Sequence, residues 1–256
     1  RKVEKKAGEV LKVYKVTGTL ANGTVAEGEV IPLSEYKTTY APVGEANLKK
    51  WRKQTTAEAI SSKGYGQAVN DTNDKMLKDI QKGIRKDFAA FLATGSGKAT
   101  GVGLQAALAQ VWGQLQVIWE DTSVEAVYLM NPLDVADYLG GAQIVTQTAF
   151  GMSYIENFLG IGTVILASDV PKGKIYATAS ENIVLYFVNV TGSDLAQAFN
   201  LTSDTTGLIG IHTGPVYENL TSETVAASGV GLFAENLGGV VIGTITAAEA
   251  SGTKGK

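Results

Sequence analysis

The most regular alternation of apolar and polar positions lies in residues 67–94, QAVNDTNDKMLKDIQKGIRKDFAAFLAT. Val69, Met76, Leu77, Ile80, Ile84, Phe88 and Phe91 recur there at multiples of three and four residues, so an α-helix gathers them on one side. Lys75, Lys78, Lys82, Arg85 and Lys86 fall on the other side, and Asp71, Asp74 and Asp79 lie toward the start, where the helix dipole favours acids. Gly95-Ser96-Gly97 ends the pattern. A long amphipathic helix with a basic outer face is predicted.

Upstream, residues 10–43 are rich in Val, Thr and Tyr and read as extended runs. Asn22-Gly23 lies between the two extended runs, and Asn-Gly suits a two-residue type I′ turn because both central residues need positive φ. A long β-hairpin turning at Asn22-Gly23 is therefore expected. Lys12, Lys15, Glu27, Glu29 and Lys37 are scattered along it and large apolar residues are few, so it has little core of its own. A two-stranded ribbon is marginal in isolation, and this one is expected to lie against a neighbour.

Downstream, GLQAALAQVWGQLQVIWE predicts a second helix and AVYLM a buried strand at 126–130. Asn131 is placed to cap a third helix that has Pro132 in its first turn. Strands are expected at 163–168, 174–179, 182–190 and 238–247, while ETVAASGVGLF fits helix or strand. The order of elements reads as α+β without a regular βαβ series.

Composition narrows the chemistry. The 256 residues are 45% hydrophobic, enough for one large domain or two small ones, and the 30 glycines point to a turn-rich fold. With no cysteine and one histidine, thiolate zinc, disulfides, cysteine nucleophiles and two-histidine metal motifs are excluded. No uncharged apolar run reaches 18 residues and the opening RKVEKKAGEV has no signal-peptide core, so a soluble chain with no membrane partner is expected. The missing initiator Met fits processing or an omitted start.

Charge is unevenly distributed. Residues 1–98 hold 18 Lys and Arg against 11 Asp and Glu, a balance of +7, and residues 99–256 hold 4 against 14, a balance of −10. A basic half suits a polyanion or an acidic partner, and a second copy of the same chain can be that partner.

Local motifs carry little chemistry. Gly95-Ser96-Gly97-Lys98 lacks the first Gly and final Ser or Thr of a phosphate loop and reads as a flexible linker. Gly101-Val102-Gly103-Leu104-Gln105-Ala106 matches a dinucleotide fingerprint by letter but is expected to follow a loop, and Gly229, Gly231 and Ala234 repeat the match. His212 has no neighbouring acid in sequence, and the pairs Asp134 with Asp137 and Glu120 with Asp121 read as solvated faces. No catalytic residue, cofactor or metal is expected. The basic helix face suits only sequence-independent contact with a nucleic-acid backbone.

Taken in order, these segments resemble the major capsid protein of tailed bacteriophages, whose Hong Kong 97-type fold is shared with encapsulins. The hairpin is similar to that family's extension loop and residues 67–94 to its spine helix. VYLMNPLDVADYL, with Asn131-Pro132 after a strand, resembles its strand, Asn-Pro, helix element. FLGIGTVILASDVPKGKIYATASENIVLYFVNV and ETVAASGVGLFAENLGGVVIGTI resemble the stretches that follow.

The resemblance implies an N-terminal arm at 1–9, an extension loop at 10–45, a peripheral domain at 46–100 and 217–256, and an axial domain at 101–216. It also implies a virion subunit that forms hexamers and pentamers of an icosahedral shell around double-stranded DNA and assembles in the host cytoplasm. Scaffold, portal and accessory capsid proteins are the implied partners. Some relatives cross-link a hairpin Lys to an Asn with help from a Glu; Lys15 and Lys37 do not complete that set, so no cross-link is expected. An encapsulin-like compartment is the alternative, and a soluble enzyme a remote one.

Overall fold

The computed structural model describes residues 1–120, 124–141, 146–149, 152–192 and 194–247. The chain opens with a short strand, β1 (Lys2–Glu4), followed by the two arms of the ribbon, β2 (Val10–Thr19) and β3 (Glu35–Glu45). Next comes β4 (Lys49–Thr56), absent from the sequence reading because its alternation is carried by lysines as much as by apolar residues. Thr56 then caps α1 (Ala57–Tyr65), its side chain accepting from the Ala59 amide. Gly64 interrupts that helix with φ of 80°, a conformation that favours glycine.

A π-helical turn at Gly66–Asn70 leads into α2 (Asp71–Leu92), the predicted amphipathic helix, and the chain continues through β5 (Gly97–Val102) and α3 (Gly103–Ile118). Then come β6 (Ala126–Met130), α4 (Pro132–Gly141), β7 (Gln147–Ala149), β8 (Met152–Ile155), β9 (Thr163–Leu166), β10 (Lys174–Ala179) and β11 (Ile183–Val188). Asn131 caps α4 as expected: its Oδ1 accepts from Leu133 at 3.0 Å while its Nδ2 donates to the Val170 carbonyl at 2.8 Å. The last elements are α5 (Asp194–Phe199), β12 (Thr202–Ser203), β13 (Ile209–Val216), β14 (Thr221–Ala234) and β15 (Val240–Thr246). The segment left open between helix and strand is thus part of β14.

These strands form two large sheets besides the ribbon. One runs β1-β11-β14-β13-β12, with β4 also on β14; the other runs β5-β15-β10-β6-β9-β8-β7. On one edge of β14, β4 and β11 follow each other end to end, pairing with residues 221–228 and 229–234 respectively. Strands β11 to β13 lie in the first sheet with β4 and β14, whereas β15 returns to the second.

Helix α2 joins the two sheets. Ile80 and Ile84 pack with Ile209, Ala226 and Val230 of the first sheet, and Phe88 and Leu92 pack with Leu129, Tyr176 and Val240 of the second. At about 1.5 Å per residue the 22-residue helix is roughly 33 Å long, long enough to cross both. Its position on the first sheet is set by polar contacts: Asn73 donates to Thr213 Oγ1 at 3.1 Å and accepts from Thr224 Oγ1 at 2.9 Å. The opposite face of the second sheet is covered by α3, whose Leu108, Val111 and Leu115 pack with Tyr128, Met130, Ile175 and Val241.

Gly101 shows what the dinucleotide-like letters do here. The motif does follow a strand, contrary to expectation, since β5 runs directly into α3. However, a Cβ on Gly101 would lie 2.3 Å from the Ala107 backbone nitrogen, so this glycine lets strand and helix backbones approach. Gly101→Ala is expected to lower stability by about 3 kcal/mol, the upper part of the range for overpacked cores, measured as a shift in urea midpoint at unchanged slope. Gly97 and Lys98, expected in a linker, lie in β5 opposite Val241 and Ile242.

Candidate assembly surfaces

The ribbon is rooted in the body of the subunit. Leu11 and Ala46 are buried with Val188, Leu48 and Tyr186, and Gly8 and Ala46 are tied by a 2.9 Å backbone bond. From there β2 and β3 pair antiparallel out to Thr19 opposite Glu35, with one bulge between Leu11 and Lys12. Tyr36 and Tyr40 are exposed, and the Lys12 ammonium stands 5.0 Å from the centre of the Tyr40 ring. Lys37 is exposed, while the side chain of Lys15 lies outside the described residues.

Asn22-Gly23 is not the hairpin turn. The strands stop at Thr19 and Glu35, and residues 20–34 form a long loop. The Asn22 side chain accepts from the Thr24 amide at 3.0 Å, a local bond that competes with a two-residue turn. The chain reverses further on, where Glu29 donates to the Ala26 carbonyl and Gly28 takes φ of 86°. Glu27 and Glu29 are both exposed at this bend. The loop also presents Leu20, Val30, Ile31 and Leu33 at 76%, 91%, 74% and 92% exposure, an apolar tip that its own chain leaves uncovered.

Lys75, Lys78, Lys82 and Lys86 are exposed and Arg85 is half-buried, with Lys75 paired to Asp79 one turn on. Strand β4, unrecognised in sequence, adds Lys49, Lys50, Arg52 and Lys53. Lys49 pairs with Asp87, Arg52 with Glu223 at 3.0 Å, and Lys53 donates to Thr72. Burial holds the Lys53 ammonium below its ordinary pKa. Four cations within KKWRKQTT were the signal available in sequence, and the alternating Trp51 and Thr55 complete a strand pattern.

Two of the remaining candidates make local contacts. His212 Nδ1 lies 3.1 Å from the Asn200 carbonyl, and Asp134 accepts from the Gly173 amide at 2.8 Å. Asp121 and the side chain of Asp137 lie outside the described residues; Glu120 is exposed. Gly229 and Gly231 sit within β14, where a Cβ would meet Val188 and Tyr186. Burial raises the phenols of Tyr128, Tyr176 and Tyr186, all packing groups. Among the described residues no cluster of three or more His, Asp and Glu side chains is arranged for a metal, and no helix is long and apolar enough to cross a membrane.

No protein-family model and no curated protein matches the chain. Solved structures do. A capsid structure of cyanophage P-SCSP1u superposes with a TM-score of 0.59 at 8% identity, covering 96% of this chain and 86% of that one. A chain of Mycobacterium phage Che8 gives 0.57 at 11% identity over 92% and 84%, and the holo-SrpI encapsulin complex of Synechococcus elongatus gives 0.57 at 13% over 94% and 83%. The architecture is therefore the mixed α+β fold of these structures. It is the Hong Kong 97-type fold, the fold of tailed-phage major capsid proteins, as the order of sequence motifs implied.

Proposed function

We propose that this chain is the major capsid protein of a tailed bacteriophage, assembling into hexamers and pentamers of an icosahedral shell that encloses double-stranded DNA. The observation that carries this reading is the exposed apolar tip on a ribbon rooted in a capsid fold. A side chain such as Leu33, 92% exposed at the end of a long arm, is unfavourable in a monomer and favourable once a neighbour covers it. In this reading the ribbon is the extension loop, α2 the spine helix, the sheet around β14 the peripheral domain and the sheet around β10 the axial domain. Residues 1–9 form the N-terminal arm, which first pairs within its own chain: β1 runs parallel to β11. The role is structural and non-enzymatic, located in the virion, with scaffold, portal and accessory proteins as partners. DNA contact is sequence-independent and made through the basic face of α2 and β4.

An encapsulin-like compartment is the second reading, favoured by the similarity to the encapsulin complex. Expression of the protein alone followed by electron microscopy tests both, with closed particles as the expected result. Nuclease-protected DNA associated with particles from the native source supports the phage reading, and a single enclosed enzyme supports the compartment. A protein that stays monomeric at high concentration with any scaffold present overturns both.

A further inference from the structure

We infer that Asn22-Gly23 is a site of spontaneous covalent modification, at which the chain converts its own asparagine to aspartate and isoaspartate through a cyclic imide. Of the eleven asparagines only Asn22 precedes a glycine. The attacking atom is the Gly23 backbone nitrogen. Asn22 and Gly23 are both exposed, and a Cβ built on Gly23 would meet nothing within 4 Å, so neither a side chain nor a neighbour crowds the approach. Thr24 prepares the atom under attack. Its amide donates to Asn22 Oδ1 at 3.0 Å, closing a ring that contains both Asn22 Cγ and the Gly23 nitrogen. That donor lies on the oxygen where negative charge develops when Cγ is attacked, the arrangement that stabilises an oxyanion.

The Gly23 nitrogen gives its proton to hydroxide and bonds to Asn22 Cγ. The bond from Cγ to Nδ2 breaks, and ammonia leaves with a proton drawn from water. Water then adds to the imide at one of its two carbonyls and breaks the bond from that carbon to nitrogen. Opening at Cγ gives aspartate on the original backbone; opening at the Asn22 main-chain carbonyl gives isoaspartate, whose backbone is one carbon longer. Either product adds a third negative charge to a loop whose charged residues are Glu27 and Glu29, in a stretch with no cation between Lys15 and Lys37. Three other asparagines show what hinders the same step. Asn131 precedes Pro132, whose nitrogen carries no proton, Asn182 is held by three hydrogen bonds, and exposed Asn219 precedes Leu220, whose side chain crowds the nitrogen. The chemistry requires only the folded subunit and does not rest on the shell reading.

Peptide mapping by mass spectrometry after incubation of the full-length protein at neutral and mildly alkaline pH tests it, with aspartyl and isoaspartyl peptides separated by chromatography. Conversion at Asn22 is expected to run about tenfold or more faster than at Asn219, because only glycine leaves the nitrogen open, to rise with pH and to yield both isomers. It is also expected to be no slower in the folded chain than in a synthetic peptide of residues 20–34, since the fold leaves the site exposed and holds the Thr24 donor in place. Gly23→Leu is expected to bring Asn22 down to the Asn219 rate with thermal unfolding unchanged, because the position has room for a side chain. A rate at Asn22 no higher than at Asn219, a rate unaffected by Gly23→Leu, or a folded chain that reacts more slowly than the peptide overturns the inference.

Discussion

Replacing residues 20–34 by a two-residue Asn-Gly turn is expected to abolish closed particles while leaving the subunit folded. The replacement is compatible with the ribbon because Thr19 and Glu35 already pair across it, and a two-residue type I′ turn matches the twist of the strands. Nothing in the subunit's core is lost: every residue from 20 to 34 is exposed or half-exposed, and the buried root at Leu11 and Ala46 is untouched. Thermal unfolding of the variant is expected within about 3 °C of the parent, consistent with changes outside a core. Assembly is another matter. Four apolar side chains of this size, fully covered by a neighbour, contribute about 1.5–3 kcal/mol each. A total of roughly 6–12 kcal/mol for each tip is comparable to the cost of associating two proteins. Light scattering and electron microscopy read the result; normal shells from the shortened chain would remove the loop from any assembly role.

Asn182→Leu is expected to act on the subunit instead, lowering stability by about 3 kcal/mol. Asn182 is 3% exposed at the β10–β11 junction. Its Nδ2 donates to Thr178 Oγ1 at 2.8 Å and to the Asn236 carbonyl at 2.9 Å, and its Oδ1 accepts from the Asn236 amide at 2.7 Å. Thr178 in turn donates to the Gly239 carbonyl at 3.0 Å. This network clamps the turn at which the chain leaves β14 in one sheet and enters β15 in the other. Leucine fills a similar volume but removes three hydrogen bonds, each contributing about 0.5–1.5 kcal/mol. In a chain of this size about 3 kcal/mol corresponds to a fall in melting temperature of roughly 6–12 °C. A fall under about 2 °C would show that water or backbone movement satisfies Asn236 without the side chain.

Much of the fold was readable in sequence where one periodicity dominated. Residues 71–92 announced α2 through the spacing of Ile80, Ile84 and Phe88, and Asn131-Pro132 announced the start of α4 through capping chemistry. The strands at 126–130 and 174–179 came out as expected because both are largely apolar runs buried on two faces. Strand β4 escaped because a segment with four cations and a single large apolar residue resembles a solvated loop until β14 is placed beside it. The hairpin was foreseen but its turn was misplaced, since a side-chain bond from Asn22 outweighed the preference of the Asn-Gly pair.

The assembly surfaces divide in the same way. Lys75, Lys78, Lys82, Arg85 and Lys86 were visible as a helix face, and Glu27 and Glu29 as hairpin acids, because a single element's geometry determines which residues share a side. Their combination with Trp51, Arg52 and Lys53 into a basic groove with an apolar floor was not. By itself the sequence determined the α+β class, the basic-then-acidic division and the long amphipathic helix, all properties of local spacing and composition. Only the tertiary structure decided how the elements combine. It sent β15 into one sheet and β11 into the other, laid α2 across both, and brought β4 against the helix. Those outcomes depend on pairings between residues far apart in the chain, which no local period encodes.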